Sequence, residues 1–202
     1  MRVFILSLPD SRQRRLSALR LIQPTGMPFE IVDGVEGTKL GWGKLPHDPS
    51  VEDWMKLGEV GCYLGHLRIL QRVVDYGLPY ACILEDDFCF EPNPDYGLTE
   101  IESQLPKPFH YIHLQRDLGI NEKLQVVGRQ GSFLRIRETP YCTTGYIVER
   151  SLAKYILAHE ANCRMQIDHL YAELSHRGQF YQPQKPLIGI NRNLPSDIQR
   201  HG

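Results

Sequence analysis

Residues 81–87 have the sequence Ala-Cys-Ile-Leu-Glu-Asp-Asp, an apolar run that leads directly into three carboxylates. The apolar run predicts a buried strand, and the carboxylates follow where that strand leaves the core. Ligands in open α/β sheets gather at the carboxyl ends of the strands. This segment therefore predicts an α/β fold with a ligand site at residues 85–87.

The segments on either side alternate between strand and helix patterns. Residues 2–8 predict a strand followed by a helix with Leu16, Leu19 and Ile22 spaced along it, and residues 29–32 predict a strand that ends at a turn. Residues 34–50 predict a long irregular loop, and the chain from 182 onward predicts a surface tail. The remaining predicted elements are helices at 59–76, 151–161 and 168–177, and strands at 109–114, 124–127, 133–136 and 145–148. No repeat or linker interrupts residues 1–202, which favours one domain.

Composition and charge restrict the class of protein. Of 202 residues, 42% are hydrophobic, which is enough for a packed core. Lys and Arg total 23 against 24 Asp and Glu, and this balance argues against nucleic acid as the main partner. Five cysteines, an odd number without a CxxC pair, indicate reduced thiols. We expect a cytoplasmic protein, which can still make peripheral contact with the inner face of the membrane.

The three carboxylates at residues 85–87 predict a metal site. Adjacent carboxylates repel one another, so a nearby cation lowers their electrostatic energy. Their hard oxygens suit Mg²⁺ or Mn²⁺ bridging a substrate diphosphate. Alternation along a strand puts Glu85 and Asp87 on one side and Asp86 on the other, so we assign the metal to Glu85 and Asp87. An acidic surface turn without a metal is the alternative.

Several segments, in order along the chain, resemble glycosyltransferase family 25. This family includes bacterial lipopolysaccharide and lipooligosaccharide galactosyltransferases and collagen hydroxylysine galactosyltransferases. The family usually has serine at the position of Gly65. The similar segments are 3–15 (VFILSLPDSRQRR), 30–34 (EIVDG), 58–66 (GEVGCYLGH), 83–87 (ILEDD), 144–150 (TGYIVER), 167–168 (ID) and 196–198 (SDI).

The resemblance implies a GT-A type fold, in which a mixed, mostly parallel sheet is flanked by helices in a single Rossmann-like domain. Residues 1–90 would form the nucleotide-binding half and residues 91–202 the acceptor-side half. It also implies Mn²⁺ or Mg²⁺ at the acidic motif and inverting transfer of a hexose from a UDP-sugar to a glycan acceptor. Galactose is our first choice and glucose the second, and lipopolysaccharide or a related cell-surface glycan is the expected product.

The resemblance further implies contacts to the donor. Asp33 would reach the uracil or ribose, and Arg15 the base or the phosphates. Asp86 is assigned to donor binding as well. From the residues alone, the alternative for Arg15 is a solvated arginine on the helix surface, and the alternative for Asp33 is a position in an ordinary turn. Three residues would lie beside the base: Ser7, Leu8 and Pro9.

Glu59 and His66 share one face of a predicted helix with Cys62. One interpretation directs this face toward the donor or acceptor, and we assign Glu59 and His66 to cofactor binding on that basis. The alternative packs His66 in the interior with its nitrogens bound to the backbone, and leaves Glu59 stabilised by the helix dipole.

An inverting transfer needs a base that removes the proton of the acceptor hydroxyl. Asp168 is the first candidate and Asp117 the second, with His169 and Glu173 as weaker ones. The alternative for Asp168 is a helix N-cap, which contributes about 1 kcal/mol to stability and nothing to catalysis.

Three other functions remain open from the sequence. A nucleotidyltransferase would also place carboxylates and a metal at a strand end, but the segment at 7–15 lacks the glycines of its usual phosphate loop. An inactive relative kept as a scaffold is the second alternative. The third is a sugar-binding module, for which exposed aromatics would be needed; the candidates are Trp42, Trp54, Tyr141 and Tyr146.

Overall fold

The structure is a computed structural model, and it describes residues 1–115 and 125–194. The strands are β1 (Arg2–Ser7), β2 (Phe29–Asp33), β3 (Tyr80–Glu85), β4 (Phe88–Phe90), β5 (Tyr111–His113), β6 (Val126–Gln130), β7 (Phe133–Ile136), β8 (Gly145–Glu149), β9 (Phe180–Pro183) and β10 (Ile188–Ile190). The helices are α1 (Arg12–Ile22), α2 (Gly37–Leu40), α3 (Leu57–Asp75), α4 (Leu98–Gln104), α5 (Arg150–His159) and α6 (Ile167–Ser175).

Eight strands form one sheet in the order β2-β1-β3-β8-β5-β9-β7-β6, and β4 and β10 form a separate antiparallel pair. Strands β7 and β8 run opposite to the other six. The predicted mixed, mostly parallel sheet flanked by helices is therefore confirmed.

The three parallel strands β2, β1 and β3 end together. Ser7 pairs with Asp33 of β2, and Leu6 pairs with Glu85 of β3. Because parallel strands present their carboxyl ends at one edge of a sheet, this register brings polar residues that are distant in sequence to one place.

The sheet is packed on both faces, as the alternation along β1 requires. Phe4 and Leu6 belong to a core with α3, α5 and α6, whereas Val3 and Ile5 belong to a second core with α1 and α4. Nearly every side chain of β1 is buried. No helix in the described ranges combines the length and apolar character needed to cross a bilayer.

Three expectations about local structure are wrong. Residues 34–50 are not irregular, because they contain α2 and two short 3₁₀ turns at 42–44 and 49–51. The segment after 182 is not only a surface tail, since β10 pairs with β4. On α1, Leu16 is 55% exposed, and the buried line is Arg14, Ala18 and Ile22.

Candidate active site

A cavity of about 420 Å³ opens at the carboxyl ends of β1 and β3. Its walls come from residues 34–38, from the first turns of α3, from the loop at 142–144 and from the start of α6. Of the predicted site residues, those that line it are Ser7, Leu8, Glu59, Glu85, Asp86, Asp87 and Asp168. Those that do not are Pro9, Arg15, Asp33 and His66. Asp117 lies outside the described residues, as does the segment at 196–198.

Asp86 is bound from two sides beneath the cavity. The Ser7 hydroxyl donates to one carboxylate oxygen of Asp86, and Arg14 Nε donates to the other at 2.5 Å. Asp86 and Arg14 are both buried. The sequence interpretation chose Arg15 and missed Arg14, which is the cation that reaches the acidic cluster.

Asp87 has one oxygen paired and one unpaired. Arg14 Nη2 lies 2.9 Å from Asp87 Oδ2, whereas the buried Oδ1 has no hydrogen-bond partner among the residues the structure describes. Burial and the charge of Glu85 raise the pKa of Asp87 to about 7, although Arg14 acts in the opposite direction. An additional cation at Oδ1 would therefore lower the energy of the ionised form.

Glu85 is held by a threonine and a histidine. Glu85 Oε1 accepts from Thr143 Oγ1 at 2.7 Å and lies 3.3 Å from His66 Nε2. Burial alone would raise the pKa of Glu85, but His66 and Thr143 outweigh it and the pKa is lowered. Glu85 is thus kept ionised at the strand end.

His66 is fully buried behind Glu85. Its Nδ1 lies 2.9 Å from the Tyr146 hydroxyl. The interior position of His66 agrees with one of the two interpretations of the sequence. The expected backbone partners are wrong, because both nitrogens face side chains. His66 reaches the cavity only through Glu85.

Glu59 caps the first turn of α3. Its Oε2 accepts from the backbone N–H of Lys56 at 2.7 Å, and its Oε1 lies 3.4 Å from Gln166 Nε2. Because this contact caps the first turn of α3, helix capping accounts for the position of Glu59. It also leaves Glu59 in the cavity wall.

Arg15 and Asp33 bind each other beside the cavity. Arg15 Nη2 lies 2.5 Å from Asp33 Oδ1, and Arg15 Nε donates to the carbonyl of Leu8 at 2.9 Å. Because Leu8 lines the cavity, this pair fixes the chain that follows β1. Pro9 is exposed.

Asp168 lines the same cavity as the acidic cluster and lies in the first turn of α6. The expected N-cap position is wrong, since Gln166 occupies it. Asp168 Oδ2 accepts from the backbone N–H of Cys142 at 2.9 Å, and Cys142 has a left-handed φ of 79°. Asp168 therefore also holds the loop at 142–144. His169 stacks on Tyr141, and Glu173 is paired with Arg164 outside the cavity.

The donor set suits a hard divalent cation. Glu85 and Asp87 both line the cavity, and the unpartnered Asp87 Oδ1 offers an oxygen ligand. Both carboxylate oxygens of Asp86, in contrast, already accept hydrogen bonds, one from Ser7 and one from Arg14. The assignment of the metal to Glu85 and Asp87 stays a prediction.

The sheet and the cavity at its strand ends define a GT-A type fold. A crystal structure of a glycosyltransferase involved in the glycosylation of the major capsid of PBCV-1 has a TM-score of 0.54, with 11% identity over 99% of this chain and 96% of that one. UDP-glucose pyrophosphorylase complexed with UDP-glucose has a TM-score of 0.50, with 12% identity over 92% and 90%. Glycosyltransferases and nucleotidyltransferases thus share the fold.

The chain belongs to glycosyltransferase family 25. The family model described as "Glycosyltransferase family 25 (LPS biosynthesis protein)" matches residues 1–171, which confirms the resemblance. The inactive glycosyltransferase 25 family member 3 of Homo sapiens is 38% identical over 180 residues, and its probable inactive counterpart in Bos taurus is 31% identical over 179. Each match covers 81% of this chain and 29% of the relative, so the chain spans less than a third of their length.

A bacterial relative has a different description. The lacto-N-neotetraose biosynthesis glycosyltransferase LgtE of Neisseria gonorrhoeae is 23% identical over 76% of this chain and 58% of its own length. Because some relatives are named inactive, membership of the family leaves activity to be argued from the site.

Proposed function

We propose that this chain is a metal-dependent, inverting glycosyltransferase that transfers a hexose from a UDP-sugar to a glycan acceptor. Galactose is the first choice of sugar and glucose the second. The observation that carries the proposal is the acidic cluster at the cavity floor, where Asp87 Oδ1 is buried without a partner among the described residues. A cavity that offers an unsatisfied carboxylate oxygen is suited to a bound cation and its anionic ligand.

Glu85 and Asp87 would hold Mn²⁺ or Mg²⁺, which supplies Lewis-acid stabilisation of the departing nucleoside diphosphate when bound. The residues around them prepare these two carboxylates. Thr143 and His66 orient Glu85, and Arg14 restrains Asp87 through Oδ2. The positive charge of Arg14 also adds to the field at the cavity floor.

Asp168 would remove the proton of the acceptor hydroxyl as that oxygen attacks the sugar. Its support is its position, since it lines the same cavity as Asp87 but comes from the opposite half of the chain. The N–H of Cys142 fixes one of its oxygens and so orients the carboxylate. Asp117 stays the second candidate.

The donor's base would lie near the ends of β1 and β2. Ser7 and Leu8 line the cavity there, and the pair of Arg15 and Asp33 stands behind Leu8. Pro9 would complete this side. The name of the Neisseria relative refers to lacto-N-neotetraose biosynthesis and the family description to LPS biosynthesis, and both support a glycan acceptor of the cell surface. A lipid-linked acceptor would place the protein at the cytoplasmic membrane face.

A second candidate is a protein that binds a nucleotide sugar without turning it over. One observation favours it: the guanidinium of Arg14 already contacts Asp86 and Asp87, and so supplies part of the positive charge that a metal would bring. The names of several relatives point in the same direction.

Release of UDP from a panel of UDP-sugars, with and without Mn²⁺, separates the two candidates. We expect release from UDP-galactose that requires Mn²⁺ and is lost in Asp87→Asn. Asp95→Asn is the matched control, because Asp95 pairs with Lys185 outside the cavity. Binding of the donors without release, in the presence of an acceptor glycan, would favour the second candidate and contradict the first.

A further inference from the structure

A second set of metal-binding side chains lies at the floor of the cavity. Cys62 and His66 stand one turn apart on α3, and Glu85 ends β3. One ligand atom from each residue lies within 4.8 Å of the other two. The Cys62 thiol is free and half-buried, and both Cys62 and Glu85 line the cavity. A cation that enters the cavity therefore meets the thiol of Cys62 and the carboxylate of Glu85, and the imidazole of His66 lies directly behind them.

The chemistry of this set differs from that of Glu85 and Asp87. Sulfur and imidazole nitrogen favour Zn²⁺, whereas carboxylate oxygens alone suit Mn²⁺ and Mg²⁺. For the same ligands, Zn²⁺ also binds more tightly than Mn²⁺. Burial and the charges of four carboxylates raise the pKa of the Cys62 thiol, and the same carboxylates attract a divalent cation to it; they are Glu59, Glu85, Asp87 and Asp168.

The spacing is close to that of a zinc site. Typical zinc–ligand distances place two ligands of a tetrahedral ion roughly 3.3–3.6 Å apart. His66 Nε2 and Glu85 Oε1 are already 3.3 Å apart. Since the ligand atoms lie within 4.8 Å of one another, the sulfur of Cys62 has at most roughly 1.5 Å to travel to complete the set.

Residues behind the cluster support a metal-bound histidine. A zinc-ligating imidazole usually donates its other N–H to a neighbouring group. His66 Nδ1 lies 2.9 Å from the Tyr146 hydroxyl, which can accept that hydrogen bond, and Tyr171 contacts Tyr146 in turn. Thr143 orients the carboxylate of Glu85 in the same way. The imidazole can therefore present a lone pair at Nε2 without losing its partner.

We propose that Cys62, His66 and Glu85 form a zinc site that shares Glu85 with the catalytic cation. Zinc binds through the sulfur of Cys62, whose thiol proton is released to solvent, and through Nε2 of His66 and a carboxylate oxygen of Glu85. The cavity supplies room for water as the fourth ligand. Since both sites use the carboxylate of Glu85, we expect zinc bound here to exclude Mn²⁺. The exclusion of Mn²⁺ by zinc rests on the proposed function, because that function places Mn²⁺ at Glu85. The zinc site itself does not depend on the proposed function.

Cobalt is the probe for the site, because a thiolate bound to Co²⁺ gives a charge-transfer band in the near ultraviolet. The full chain, stripped of metal, should give this band on titration with Co²⁺. Cys62→Ser should abolish it, and Cys142→Ser, which removes the other thiol lining the cavity, should keep it. A band that survives in Cys62→Ser, or that vanishes in Cys142→Ser, would overturn the assignment.

Two measurements complete the test. X-ray absorption at the zinc edge needs no variant, and in the zinc-loaded wild-type protein it should report one sulfur ligand. A zinc coordination shell without sulfur would refute the site. The electron paramagnetic resonance signal of free Mn²⁺ should show that zinc displaces bound Mn²⁺ from the wild type. The same displacement from Cys62→Ser should need more than about tenfold more zinc. Equal zinc requirements would contradict the exclusion. If the wild type shows the cobalt band but binds no Mn²⁺, the zinc site stands and the proposed catalytic metal fails.

Discussion

Replacing Arg14 by methionine tests whether its guanidinium holds the acidic cluster together. The side chains of Arg14 and Asp86 are 10% and 5% exposed, and that of Asp87 is 16% exposed. Removing one partner of a buried ion pair costs about 3–5 kcal/mol, because the remaining charge is left uncompensated. Asp86 keeps the hydrogen bond from Ser7, and Asp87 can take up a proton. We therefore expect the lower end of that range, about 3 kcal/mol.

The assay for Arg14→Met is urea denaturation followed by circular dichroism, in EDTA and again with Mn²⁺. The control is Arg12→Met, since Arg12 is exposed on the same helix, and its free energy of unfolding should change by less than about 0.5 kcal/mol. A metal that binds only the folded state adds about 2.7 kcal/mol at one hundred times its Kd, so Mn²⁺ should recover most of the loss. If Arg14→Met in EDTA loses no more free energy of unfolding than Arg12→Met does, Arg14 does not stabilise the acidic cluster.

Three further outcomes are expected. Burial lowers the pKa of His113 to about 4. Below pH 6.5 the unfolded chain therefore binds a proton at this histidine that the folded protein does not bind. The free energy of unfolding should thus be unaffected above pH 6.5 and should fall by about 3 kcal/mol as the pH drops to 4. Urea titrations at several pH values should show this slope in the wild type and lose it in His113→Leu. A Cβ at Gly61 would lie 2.3 Å from the carbonyl oxygen of Val35, so Gly61→Ala should cost about 1–3 kcal/mol in thermal unfolding, whereas Gly43→Ala, with open space around it, should cost little. Asp168→Asn should fold normally and lose about 10²–10⁴-fold in turnover, with Glu173→Gln near wild type; retention of more than about a tenth of the rate would remove Asp168 as the base.

Most of the described strands could be predicted because their apolar runs have a clear period, whereas β4, β9 and β10 were missed. The strand predicted at 133–136 coincides with β7, and the apolar run at 81–84 does lead into the acidic cluster. These features depend on local sequence alone. The helix ends also agree to within two residues wherever an apolar stripe defined them.

Arg14 was missed because a run of arginines does not reveal which one points inward. That depends on the rotation of α1 against the sheet, and the apolar spacing suggested the face of Leu16. The line of Arg14, Ala18 and Ile22, at steps of four residues, was the available signal. A buried arginine at the start of this line should have been matched with the carboxylates of residues 85–87.

The partners of Glu85 could not be predicted either. Thr143 lies in a loop without periodicity, and its contact with Glu85 depends on the antiparallel pairing of β3 with β8. His66 meets Glu85 only because α3 packs across the end of β3, whereas the sequence spacing showed only that His66 shares a helix face with Glu59 and Cys62. Both contacts follow from tertiary register, which the chain's local pattern does not contain.

Calorimetric titration of UDP into the protein, with and without Mn²⁺, tests whether the cavity binds a UDP-sugar through the acidic cluster. We predict micromolar binding by the wild type that requires the metal, disappears in Asp87→Ala and persists in Asp95→Ala. Absence of UDP binding by the wild type under both conditions would contradict the assignment of this cavity as a UDP-sugar site, and equal binding by Asp87→Ala would contradict the role of the acidic cluster in it.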